Sequence, residues 1–244
     1  MSDDTATGTS PPVERALVVV AHPDDVDFGA AGTVATWVDA GISVSYCIVT
    51  DGDAGGFDLS VPRPEMAEIR RREQRAAAAA LGVTDVVFLG YPDGRLVVSL
   101  DLRRDISRVI RQVRPQRVIC SSPDRVLDRL YASHPDHLAA GEAAVCAIYP
   151  DARNPFAHPD LLAAGLEPHA VAEMWVMAGG DPSEFVDVTD AFDRKMEALL
   201  CHRSQLPDPE ATTEGVRGWM EGTARAGGLP EGRLAEAFRV VKTT

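Results

Sequence analysis

Two hydrophobic patterns alternate along the chain. Short unbroken apolar runs carry polarity only at their ends: Ala16 to Val20, SVSYCIVT from Ser43 to Thr50, DVVFL from Asp85 to Leu89, Arg117 to Cys120, and EMWVM from Glu173 to Met177. Runs of this kind, rich in β-branched residues, predict strands buried on both faces. Between them, apolar residues recur at helical spacing over Ala31 to Ala40, Pro64 to Leu81, Leu100 to Val113, Ala139 to Ile148, Ala191 to Cys201 and Thr213 to Ala226. Gly41 and Gly82 follow the first two as stop signals. Val186 to Val188 reads as a short edge strand. Residues 150–169 hold four prolines and little periodicity, which predicts a long loop. Strands alternating with helices at these lengths predict βαβ units and a mainly parallel sheet covered on both faces. Right-handed crossovers put every strand's carboxyl end on one side. The loops His22–Asp25, Asp51–Gly56, Tyr91–Gly94 and Ser121–His137 should therefore converge there. Residues 1–13 are polar and acidic and predict a disordered tail, with one domain over 14–244.

Composition narrows the function. Lysine and arginine total 24 against 37 acidic residues, a net charge of −13 in 244 residues. That excludes nucleic acid and anionic membrane as partners, since both need a basic footprint. No apolar run approaches the about 18 residues a membrane helix needs. Cys47, Cys120, Cys146 and Cys201 form no CxxC, and the first two sit in apolar runs. They read as thiols in a reducing cytoplasm. Acidity does not decide self-association, so a homo-oligomer stays open.

Chemistry concentrates in two segments, His22-Pro23-Asp24-Asp25 and His134-Pro135-Asp136-His137. Proline lacks an N–H and ends a central strand, so the first segment sits at the strand's carboxyl end, where open α/β sheets bind ligands. His22, Asp25 and His137 make a two-histidine, one-carboxylate set. Such a set with one open position holds catalytic zinc, and suits Fe(II) as well. Asp24 stands beside a ligand and need not be one; as a free carboxylate it can serve as general base towards a water. His134 is the matching electrophilic or acidic group, with Asp136 placed to orient an imidazole. No G-x-G-x-x-G and no G-x-S-x-G is present, which argues against dinucleotide binding and a serine nucleophile.

AHPDD at Ala21 to Asp25 and HPDH at His134 to His137 resemble the two motifs of the LmbE-like deacetylases of the PIG-L type, which remove acetyl groups from N-acetylglucosamine conjugates. TDGDAGG at Thr50 to Gly56, Arg70-x-x-Glu73, Tyr91-x-Asp93 and Val186 to Gln205 are similar to the family in turn. The resemblance implies His22, Asp25 and His137 as zinc ligands, Asp24 as base, and His134 assisting with Asp136 tuning it. It implies Arg70 and Asp93 as contacts to the sugar. Some relatives place an oxyanion-stabilising tyrosine two residues before the second motif; here Ala132 stands there and Tyr131 is one residue off. His202 and Gln205 read as core residues near the sheet edge. The expectation is an α/β, Rossmann-like three-layer domain with a metal site at the carboxyl edge of its strands. It acts in the cytoplasm on a small amino-sugar substrate. A thiol-sugar amidase, a metal-dependent phosphoesterase and a non-catalytic metal-binding protein are the alternatives.

Overall fold

A computed structural model describes residues 12–243, apart from the side chains of Arg129, Tyr131 and Ala132. The tail expected over 1–13 thus falls outside the described residues as far as residue 11. Among the described residues seven strands form one sheet: β1 Arg15–Val20, β2 Ser43–Thr50, β3 Asp85–Tyr91, β4 Arg117–Ser121, β5 Glu173–Met177, β6 Glu184–Asp187 and β7 Ala235–Lys242. Their order is β3-β2-β1-β4-β5-β7-β6. β1 to β5 are parallel, whereas β7 runs antiparallel to both β5 and β6. The chain moves outward from β1 to β3, then returns to place β4 on the other side of β1. The crevice between the carboxyl ends of β1 and β4 is a topological switch point, where ligands bind in such sheets.

Among the described residues eight α-helices flank the sheet: α1 Asp25–Gly29, α2 Ala31–Asp39, α3 Arg63–Ala80, α4 Leu100–Val113, α5 Pro135–Cys146, α6 Pro159–Ala163, α7 Phe192–Leu199 and α8 Pro209–Ala226. Strand alternation sends the β1 side chains to two cores. Ala16, Val18 and Val20 pack with Val34 and Ala35 of α2 and Ala77 and Ala78 of α3. Leu17 and Val19 pack with Leu102, Ile106 and Ile110 of α4 and Ala140 and Ala144 of α5. A third cluster joins Phe192, Met196 and Leu199 of α7 to Val216 and Met220 of α8. None of the described helices is long and apolar enough to cross a membrane, and all four cysteines are free thiols.

β7 escapes the sequence reading. Its stretch AEAFRVVK carries Glu236 and Arg239 where a strand pattern wants apolar residues. Glu236 is nonetheless buried, at 1% exposure. Its carboxylate accepts the backbone N–H groups of Gly32 and Thr33 at 2.9 and 2.7 Å and takes the ammonium of Lys195 at 2.8 Å. Lys195 also donates to the carbonyls of Asp27 and Phe28. One buried ion pair thereby ties β7 and α7 to the end of α1 and the start of α2.

Residues 150–169 differ from the loop expected. They contain α6, and the Arg111 guanidinium gathers the carbonyls of Asp151, Ala152, Asn154 and Ala157. The segment is held against α4 by buried hydrogen bonds.

Candidate active site

The loop after β1 delivers the first group of side chains. Pro23 stops the strand, and α1 starts at Asp25. Asp24 lies between them in the left-handed region, φ 85° and ψ −25°, a state non-glycine residues adopt at a cost of about 1–3 kcal/mol. The Asp25 carboxylate folds back and accepts the His22 backbone N–H at 2.8 Å. The second group arrives from the start of α5. His134 is its N-cap, with Nδ1 accepting the Asp136 backbone N–H at 3.2 Å, and Pro135 fills the first turn. A Cβ on Gly141 would sit 2.4 Å from the Ser121 carbonyl, so a glycine there lets α5 lie on the end of β4 and bring His137 to the crevice.

Three donors converge. His137 Nε2 lies 2.9 Å from Asp25 Oδ1 and 3.2 Å from His22 Nδ1. His22 Nδ1 lies 3.7 Å from Asp25 Oδ2. Ligands at about 2.0–2.1 Å from a tetrahedral zinc are about 3.3 Å from one another, so these separations match the edges of such a polyhedron. Charge points the same way. Burial would lower the His22 imidazole, but Asp136, Asp25 and Asp93 outweigh it and push it up to about 12. Burial would raise Asp25, yet His137 and His22 hold it well below the usual carboxylate range. The pocket thus favours positive charge, and a divalent cation would displace protons on binding.

The carboxylates behind His22 have separate anchors. Asp93 Oδ1 is 3.2 Å from His22 Nε2, while its Oδ2 accepts the Ala54 backbone N–H at 3.0 Å. Asp136 accepts from Gly94 and Leu96 and reaches His22 Nε2 at 3.5 Å. The Asp136 side chain is thus directed at His22 and the 94–96 turn. A carboxylate on the far nitrogen of a ligating histidine fixes its tautomer and orientation. Asp93→Asn should weaken zinc affinity by about 10–100-fold, read by competition with a chromophoric chelator; an unchanged affinity would rule out this role.

Asp24 is the carboxylate left over. Its Oδ2 takes Arg70 Nη2 at 3.0 Å, and Arg70 also binds the carbonyls of Pro23 and Gly52. Arg70 and Asp93 are 4% and 7% exposed; both stand behind the cavity wall. Burial raises Asp24 to about 6, with Arg70 opposing the rise. Its backbone N–H is held by Gln74 Oε1 at 2.9 Å, Gln74 Nε2 donates to Asp27 Oδ2 at 2.9 Å, and His202 Nε2 meets the same oxygen at 2.7 Å. All three supporting residues are fully buried. The sequence reading took His202 for core packing and passed over Gln74 and Asp27. The available signal was spacing: Arg70 and Gln74, four apart, share one face of α3.

His134 is held below its ordinary value by burial, with His22 adding to the effect. Its Nδ1 accepts a hydrogen bond, so the neutral ring carries its proton on Nε2. Tyr131, one residue off the place of the oxyanion-stabilising tyrosine of some relatives, has its side chain outside the described residues. A cavity of about 580 Å³ opens over the cluster, lined by His22, Asp24, Asp25, His134 and His137 on one side. The size lies within the range of small-molecule sites, about 300–1,000 Å³. Residues 150–169 do not line it.

Residues 17–148 match the family described as PIG-L: GlcNAc-PI de-N-acetylase. Diacetylchitobiose deacetylase of Thermococcus kodakarensis is 35% identical over 196 residues, covering 80% of this chain and 72% of its own length. The probable N-acetyl-alpha-D-glucosaminyl L-malate deacetylase 2 of Bacillus cereus is 33% identical over 196 residues, 78% of this chain and 82% of that one. Among solved structures, N,N'-diacetylchitobiose deacetylase from Pyrococcus horikoshii, complexed with its inhibitor MPG, superposes with a TM-score of 0.87 at 30% identity. That match covers 95% of this chain and 85% of the other.

Proposed function

Because the chain belongs to the PIG-L (GlcNAc-PI de-N-acetylase) family, we propose that it is a zinc-dependent hydrolase that removes the acetyl group from an N-acetylglucosamine-type amino sugar. The observation that carries this is the convergence of His22, Asp25 and His137 beside the Asp24 carboxylate, which is held by Arg70.

His22, Asp25 and His137 would hold the metal. When bound, zinc supplies a Lewis acid for the acetamide carbonyl and makes water acidic near neutral pH. Asp24, raised to about 6, accepts the proton of the attacking water. Arg70 and Gln74 fix where that carboxylate points. The His134 Nε2–H donates to the carbonyl oxygen as negative charge builds there. Asp24 then returns its proton to the nitrogen, the C–N bond breaks, and acetate and a free amino sugar leave. Residues 14–243 serve this chemistry as one unit, and the free thiols suit a reducing, cytoplasmic setting.

Zinc-loaded protein incubated with acetamido sugars should release acetate. A chelator should stop the release and added zinc restore it. His137→Ala should lower bound metal by elemental analysis. Phosphate release from phosphomonoesters without acetate release from any acetamido sugar would sink the proposal.

A further inference from the structure

The Arg70-x-x-Glu73 stretch does more than supply Arg70. Pro23 and Asp24 share one peptide unit, and α3 holds both of its poles. Arg70 Nη2 donates to the Pro23 carbonyl at 2.6 Å, and the Asp24 N–H donates to Gln74 Oε1 at 2.9 Å. A side-chain amide can face either way, and here the Asp27 carboxylate decides, because it only accepts. Gln74 Nε2 therefore turns to Asp27 Oδ2 at 2.9 Å, which leaves Oε1 towards Asp24. His202 Nε2 meets the same Oδ2 at 2.7 Å and supplies its second donor. His202 sits in the turn after α7, where the Gln205 N–H returns to the His202 carbonyl. Glu73 pins that turn to α3: its two oxygens accept the Ser204 N–H at 2.8 Å and the Ser204 hydroxyl at 2.6 Å. Gln74, Asp27 and His202 are closed off from solvent, and neither they nor Glu73 line the cavity.

We propose that Glu73, His202, Asp27 and Gln74 act as one positioning brace, which holds the Pro23–Asp24 peptide in a single orientation and so aims the Asp24 carboxylate into the cavity. The inference rests on the deacetylase reading and goes one step behind it, to what sets the direction of its base. A left-handed aspartate keeps its conformation only where its surroundings over-determine it. Arg70 secures the carbonyl pole and the carboxylate. Without Gln74 the N–H pole has no acceptor, and a peptide that rotates to find one carries the carboxylate with it. Without His202 the Asp27 oxygen that orients the Gln74 amide loses its second donor. The four side chains act through Asp24 and touch no reacting atom, so they are positioning residues.

Zinc-loaded wild type, Gln74→Met, His202→Asn and His202→Gln are compared for zinc per chain, for acetate release from N-acetylglucosamine and its methyl glycoside, and for hydrogen exchange of the residue 24 amide by NMR. A glutamine amide reaches the place of the ring Nε2, and the shorter asparagine does not. In Gln74→Met and His202→Asn kcat should fall about 10–100-fold at unchanged KM and unchanged zinc. His202→Gln should restore most of that loss. The residue 24 amide should exchange at least about tenfold faster in the two deficient variants than in wild type and His202→Gln. If Gln74→Met does not fold by circular dichroism, the His202 pair decides alone. Equal losses in His202→Asn and His202→Gln, a fall in zinc with kcat per bound zinc unchanged, or an amide as slow in the deficient variants as in wild type would overturn the brace. The expected exchange pattern with no acetate from any acetamido sugar in wild type would overturn the deacetylase reading and leave the brace standing.

Discussion

Asp24→Asn is expected to lower kcat by about 10²–10⁴-fold, the range for a lost general base, with bound zinc unchanged. The substitution keeps size and shape, and the Arg70 guanidinium loses only its charged partner. Metal content should survive because the ligand separations involve His22, Asp25 and His137 alone. The pH profile supplies a second reading. A base works deprotonated, and burial lifts Asp24 to about 6 against the pull of Arg70. Wild-type kcat/KM should therefore climb as pH rises and fall off on the acid side near or below pH 6, lower where zinc adds positive charge. The variant's residual activity should lose that acid limb. A wild-type rate in Asp24→Asn would remove the residue from the chemistry.

Glu236→Ala should destabilise the protein by about 3–5 kcal/mol, the cost of breaking a buried pair and leaving one charge alone. Urea denaturation followed by circular dichroism measures it, and a loss under about 1 kcal/mol would be the value of a surface pair. The argument is one of satisfaction. Lys195 and Glu236 are both fully enclosed, and the carboxylate also receives the first N–H groups of α2. Replacing the pair with apolar side chains would not rescue stability as it does elsewhere, because two helix-terminal donors would stay buried without acceptors. The damage should also reach the metal loop, since Lys195 binds carbonyls of Asp27 and Phe28, two and three residues after Asp25.

Much of this was legible in the amino-acid order. β2, β5 and α4 run between the residues the periodicity marked, and the converging loops meet as the parallel topology required. What was missed shares a physical cause: polar residues buried with partners far away in sequence. Glu236 masked a strand because its partners, Lys195, Gly32 and Thr33, lie 41, 204 and 203 residues earlier. Asp27 of α1, Gln74 of α3 and His202 in the loop after α7 lie far apart in the chain and signal nothing singly. Helix starts were underread for the opposite reason, since Asp208 before Pro209 and His134 before Pro135 are local capping patterns. Their recognition would have moved α8 and α5 forward by one turn. Arg70 and Asp93 were expected against the sugar; their burial could not be read from spacing alone.

The backbone at Asp24 has an evolutionary edge to it. Its left-handed conformation is one that glycine enters freely, and aspartate and glycine codons differ by a single base. A lineage released from turnover could relax this position in one step, relieving the backbone, stripping the buried Arg70 of its carboxylate partner and becoming inert. Descendants that retain the scaffold as mere receptors should be recognisable by that exchange, with the cation-holding trio still in place.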